Sequence, residues 1–246
     1  MAHISVHSDI ELHSPAMVEG LPGLGLVGKI AADHLVSSLD LEFFGALHCE
    51  GIPQVTVYRA DSSELLPPVR LYANEDGTLL VLQSDIPVSA QAASGFAECV
   101  TDWVVAHNVT PLYVSGLPSE KEADVPDLYG VATGEGTALL DEAGIVPPVE
   151  GGLVSGPTGA LLAEAGERGV TSVGLVAEAS QQFPDPEAAR SVLEYGVGPL
   201  ADVEVDTDEL VDQAEDIREA RERLAERMQQ AEADESSQAR PLRMFQ

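Results

Sequence analysis

Short runs that are apolar at every position alternate along this chain with stretches that are apolar at helical spacing. Leu79-Leu-Val-Leu82 belongs to the first kind; a strand built from it must be covered on both faces. Ala90–His107 belongs to the second, with Phe96, Val100, Trp103 and Val104 falling on one helical face. Strands covered on both sides by intervening helices form an α/β sandwich around one mostly parallel or mixed sheet.

The pattern places strands at Ala16–Glu19, Glu42–Cys49, Gln54–Arg59, Val69–Tyr72, Thr78–Gln83, Leu112–Ser115 and Ser172–Ala177. Helices are predicted over Val27–Ser38, Ala90–His107 and Gly159–Arg168. Asn74-Glu-Asp-Gly77 supplies a turn. Asp185-Pro186-Glu187 has the N-cap, N1 proline and first-turn acid of a helix running to about Tyr195. These elements make residues 1–205 one α/β domain.

After residue 205 the pattern changes. Residues 208–233 contain neither Gly nor Pro, and Asp206 or Thr207 can cap their start. Leu210, Ala214, Ile217, Leu224, Met228 and Ala231 recur at spacings close to a heptad, with Arg221 as the exception. Residues 206–233 are thus a C-terminal helix with coiled-coil character. Its stripe fits a seam between copies, as in a homo-oligomer, and fits equally a helix packed on its own domain. Residues 234–246 read as a flexible tail.

Charge narrows the partners. The chain has 42 Asp+Glu against 12 Lys+Arg, a formal net charge of −30. Only Lys29 and Lys121 are lysines. Nucleic acid is excluded, because binding it requires bases that neutralise phosphates. The excess is spread along the chain, with 12 acids and 6 bases in residues 206–246. A diffuse acidic surface is the composition of a cytoplasmic halophilic protein, whose self-repulsion molar salt screens over about 3 Å. No apolar run approaches the roughly 20 residues of a membrane span, and no secretory signal pattern opens the chain.

Cys49 and Cys99 lack metal-type spacing. They read as two buried free thiols, with a single disulfide as the alternative. No metal site is expected: His3, His7 and His13 belong to a surface or terminal strand, and His34, His48 and His107 are isolated core or surface residues.

Three segments invite chemical readings. Gly20-Leu-Pro-Gly-Leu-Gly-Leu-Val-Gly-Lys29 holds Gly23, Gly25 and Gly28 in a G-x-G-x-x-G spacing between strand and helix, with Asp40 or Glu42 at ribose distance. It also half-matches a phosphate loop, but Ile30 stands where Ser or Thr should follow Lys29. The bland alternative is that Gly20, Pro22 and the three glycines only allow a tight turn and close helix–sheet packing. Around Ser155 the glycines of a nucleophile elbow are replaced by Leu153 and Pro157, so no catalytic residue is assigned. Met244-Phe245-Gln246 ends the chain with an apolar side chain, a ring and a carboxylate, a combination that docks in pockets by ring burial plus a carboxylate–cation contact.

Together, Glu19–Lys29, Gly156-Pro-Thr-Gly-Ala-Leu-Leu162, Ser172–Glu178 and Phe183-Pro-Asp-Pro-Glu-Ala-Ala189 resemble the proteasome assembly chaperone 2 family. Its archaeal members related to a proteasome activator homologue are the nearest in kind; the acidic composition would make this a haloarchaeal one. The resemblance spans about residues 15–215. It implies a phosphorylase/hydrolase-like α/β sandwich without established catalysis or cofactor. It further implies homo-oligomers whose C-terminal helices and tails contact the α-subunits or α-ring of the 20S proteasome.

Tails of related factors end in hydrophobic–tyrosine–any residue. Phe245 in place of tyrosine forgoes a hydroxyl hydrogen bond of roughly 0.5–1.5 kcal/mol, which bears more on gate opening than on binding. The functional expectation is a non-enzymatic assembly chaperone or regulator. The alternatives are a small-molecule enzyme holding a phosphate-bearing ligand at Gly20–Lys29, and a purely structural homo-oligomer.

Overall fold

A computed structural model describes residues 3–60, 62–118, 125–181 and 184–210. Eight strands form one mixed sheet in the order β1-β3-β6-β7-β2-β8-β10-β9. They are β1 (His3–Val6), β2 (Ala16–Gly20), β3 (Glu42–His48), β6 (Val69–Ala73), β7 (Leu79–Ser84), β8 (Thr110–Pro118), β9 (Leu128–Thr133) and β10 (Ser172–Ala179). The four central strands β7, β2, β8 and β10 run parallel, and the flanking pairings are antiparallel.

The alternation of the central strands divides the core in two. Val18, Val81, Leu112 and Leu175 face α1 (Val27–Ser38) and α5 (Pro186–Val192). Met17, Leu80 and Tyr113 face the other way, towards Phe96 and Val100 of α2 (Ala93–Ala106) and Leu161 of α4 (Gly156–Glu167). Every residue of β7 is buried, as its unbroken apolar run requires. The helix over Val27–Ser38 has the predicted bounds. Asp185 caps α5 as predicted, its side chain accepting from the Ala188 amide. The predicted run to Tyr195 continues beyond α5 as a π turn, Leu193–Val197, and then α6 (Gly198–Ala201).

Several expectations are corrected. Cys49 and Cys99 are not free thiols but are joined in a disulfide, with 5.8 Å between Cα atoms. The end of β3 and the middle of α2 bring together residues that lie 50 apart in sequence, which spacing alone does not reveal. The strand expected over Gln54–Arg59 shrinks to β4 (Val57–Tyr58), which pairs only with β5 (Leu65–Leu66) outside the main sheet. Sequence patterning also missed β9 and α3 (Gly136–Glu142). The outer strand β9 is only partly buried, so it lacks the apolar run that marks a central strand.

Packing extends past residue 205. The Asp206 carbonyl lies 2.5 Å from His34 Nε2, and Thr207 and Leu210 are buried. Leu210, the first of the seam candidates, lies within the chain's own core. Ala214, Ile217, Leu224 and Met228, like the tail Met244–Gln246, lie outside the described residues. Among the described residues no helix is long and apolar enough to cross a membrane.

Candidate functional site

Open α/β sheets place ligands at the carboxyl ends of their parallel strands, where neighbours separate. Here that place lies between β2 and β8. Their paired register runs from Ala16↔Thr110 to Val18↔Leu112. Beyond it Glu19 turns its side chain into the gap. Glu19 Oε2 accepts from the Val114 amide at 3.0 Å, and Oε1 accepts from the Leu21 amide at 3.1 Å. The Thr158 hydroxyl of α4 stands 3.3 Å from both oxygens. A side chain thus continues the ladder after the backbones part.

Glu19 is fully buried, and desolvation raises its pKa to about 7 against the opposing hydrogen bonds from Val114, Leu21 and Thr158. Burial, and then the Glu19 charge, raise the pKa of the Tyr113 phenol on the same face of the sheet.

The glycine-rich segment fills the other side of the gap. Gly25 sits at φ 63°, a conformation glycine adopts without strain. Its carbonyl accepts from the Asp185 amide at 2.8 Å. Asp185 in turn accepts from the amides of Ser180 and Ala188. A Cβ on Gly20 would fall 2.2 Å from the Ala32 Cβ, and one on Gly28 would meet the Glu19 carbonyl at 3.1 Å. Both glycines let α1 lie directly on the sheet. Leu24 packs onto Gly116 of β8, where a Cβ would lie 2.7 Å from the Leu24 carbonyl oxygen.

Lys29 is held within the protein. Its ammonium lies 2.6 Å from Asp33 and 3.1 Å from Asp85. Asp85 also pairs with the buried Arg70 guanidinium, which bonds Gln83; Gln83 donates to Asp33 and closes the network. Partial burial opposes the Asp85 charge, but hydrogen bonds and charge from Arg70 and Lys29 hold its pKa below the ordinary value. The structure therefore brings Gly20, Gly25, Gly28 and Lys29 together as a packed connection. Pro22 and Gly23 lie along it, and a Cβ on Gly23 would meet nothing within 4 Å. Asp40 follows the end of α1, and Glu42 is the first residue of β3.

The central polar residues, Glu19 and Thr158, carried no role in the sequence reading. The available signal was the company they keep: each lies in one of the four segments that carry the family resemblance. In space those segments meet. Thr158 touches Glu19, and Gly25 lies against Asp185 and against Ala179, the residue that follows Glu178.

A second feature lies on the α4 side of the sheet. Leu117, Val131 and Val176 form the floor of an open cleft of about 470 Å³, and Val149 and Leu153 stand along its wall. Glu150 and Glu178 also line it, with no Lys or Arg among the described lining residues. Sequence reading missed this cleft because its floor comes from three strands and its wall from the irregular 146–154 connection.

A PAC2 family sequence model matches residues 17–225. The chain is 32% identical to an uncharacterised protein of Methanocaldococcus jannaschii over 88% of each chain. Its structure is similar to that of Pyrococcus furiosus PbaA, an archaeal homolog of proteasome-assembly chaperone. That match has a TM-score of 0.77 and 26% identity, and covers 94% of this chain and 100% of the other. Pyrococcus furiosus PbaB, an archaeal proteasome activator, shares the fold with a TM-score of 0.77 at 23% identity, over 91% of this chain and 98% of that one.

Proposed function

Because the chain belongs to the PAC2 family, we propose that it is a proteasome-associated chaperone or regulator without enzymatic activity. The likeness to PbaA, at 26% identity across nearly the whole of both chains, carries this reading. The packed gap between β2 and β8 supports it: Glu19, Leu24 and the glycine-rich connection occupy the place where an enzyme of this architecture would hold its ligand.

In this reading the protein acts in the cytoplasm of a salt-accumulating cell and assembles as a homo-oligomer. Met244-Phe245-Gln246 docks between α-subunits of a 20S proteasome. At molar salt, attraction between distant charges is screened over about 3 Å, so short-range burial of Met244 and Phe245 supplies the recognition. Several tails on one oligomer add avidity through effective concentration.

The test uses the full chain and a version lacking residues 244–246, with α-ring binding measured in molar KCl. Deletion is expected to weaken binding at least about tenfold through loss of the buried ring. Phe245→Tyr is expected to strengthen it roughly two- to tenfold by restoring one hydrogen bond. Unchanged binding after deletion would remove the tail mechanism while leaving a chaperone role for the α/β body.

A further inference from the structure

The cleft beside α4 combines features that packing among the described residues does not use. Val149 and Leu153 are 89% and 88% exposed, and Val146, next to them in the same connection, is 58% exposed. On a surface this rich in carboxylates, large apolar side chains gathered at one cleft mark a contact surface.

The backbone of the connection is open as well. Among the described residues, positions 147–154 take part in no backbone–backbone hydrogen bond. A Cβ added to Gly151 or Gly152 would meet nothing within 4 Å, and neither residue has a positive φ. Among the described residues neither packing nor backbone conformation calls for glycine there, and glycine carries an entropic cost. Two side-chain-free positions do let another main chain approach closely.

Electrostatics selects the occupant. Glu150 and Glu178 line the cleft, and the Tyr129 hydroxyl lies 3.4 Å from the neighbouring carboxylate of Asp127. A segment bringing apolar side chains alone would leave these acids unanswered, and an acidic segment would be repelled.

We propose that this cleft binds an extended polypeptide segment of a partner protein that presents apolar side chains together with Lys or Arg. The apolar side chains cover Leu117, Val149 and Leu153, the cation faces Glu150 and Glu178, and the partner's main chain runs along Gly151–Gly152. This is peptide recognition by main-chain contact with side-chain pockets. It is a second contact, separate from the C-terminal tail.

The test is fluorescence anisotropy on the full-length protein in about 1 M KCl, where a Debye length of about 3 Å suppresses general attraction to an acidic surface. Three labelled octapeptides serve as probes, alternating Leu with Arg, Leu with Glu, and Ser with Arg. The Leu/Arg peptide is expected to bind at least about tenfold more tightly than either of the others. The double variant Val149→Ser, Leu153→Ser should weaken it about fivefold or more through lost apolar contact. Tyr58→Ser, Leu65→Ser, which removes exposed apolar side chains outside the main sheet, should leave binding unchanged. Glu150→Gln, Glu178→Gln should narrow the preference for Leu/Arg over Leu/Glu.

Equal binding of the Ser/Arg peptide, equal loss in the Tyr58/Leu65 control, or absence of Leu/Arg binding would each overturn the proposal. Hydrogen–deuterium exchange on the wild-type complex gives a readout independent of any variant. Protection is expected at residues 147–154, and protection confined to other segments overturns the assignment.

Discussion

Adjacent residues of one strand serve two contrasting regions. Gly116 of β8 supports Leu24 in the filled gap, and Leu117 lines the open cleft. In the gap, polar groups meet one another: Glu19 takes donors from Leu21, Val114 and Thr158, and Asp185 takes two amides. In the cleft, apolar side chains face solvent, and positions 147–154 make no backbone–backbone hydrogen bond among the described residues. A region whose donors and acceptors are satisfied internally is committed to the fold. One left open carries its surplus for a partner. Variants in the first should therefore move stability, and variants in the second should move binding.

The largest expected effect is the pH dependence contributed by Glu19. Its pKa rises from 4.5 to about 7 on folding. Between those values the folded state keeps a proton that the unfolded chain has released. The stabilisation is complete below pH 4.5, declines as pH rises, and is lost above about 7. The difference amounts to about 3 kcal/mol at 1.36 kcal/mol per pKa unit. Urea unfolding at several pH values should show this decline in the wild type relative to Glu19→Gln, which cannot titrate. Parallel pH profiles for the two proteins would show that the gap is not under the charge strain inferred for it.

Next comes Gly20→Ala. The added Cβ would lie 2.2 Å from that of Ala32, so α1 must move off the sheet. Overpacking of this kind costs roughly 1–3 kcal/mol, and the urea midpoint should fall accordingly. An unchanged midpoint would mean that the helix is not seated as closely as the glycine implies.

Thr158→Val should cost about 1 kcal/mol through loss of one hydrogen bond. It should also raise the Glu19 pKa further, because the Thr158 hydroxyl favours the ionised form. A double-mutant cycle with Glu19→Gln isolates the pair. Additive effects would show that the Thr158 hydroxyl does not act through Glu19.

Much of this division was legible in the sequence, for a physical reason. The strand-and-helix pattern follows from apolar periodicity, which is local, and α1, β7 and the Asp185 cap can be read from neighbouring residues. The four resemblance segments were legible as motifs, but their meeting around Glu19 and Gly25 joins residues 139 positions apart in the case of Glu19 and Thr158. No spacing rule reaches that far. The Cys49–Cys99 bridge stood only as the alternative for the same reason, its residues lying 50 apart in sequence. The cleft was hardest to see: Val149 and Leu153 stand in an irregular connection with no periodic pattern, and β8, β9 and β10 supply the floor only in space.

The smallest stability effect belongs to the cleft and separates the two regions most cleanly. Val149→Ser, Leu153→Ser removes side chains that are 89% and 88% exposed, so the folded state loses little burial. The expected change in unfolding free energy is within about 0.5 kcal/mol, as for surface substitutions generally. A drop well beyond that would show the wall of the cleft to be part of the core, and the contrast with the gap would fail. A stability change within that limit, together with lost peptide binding, would mean that these side chains act in contact with a partner, because among the described residues they bury little surface.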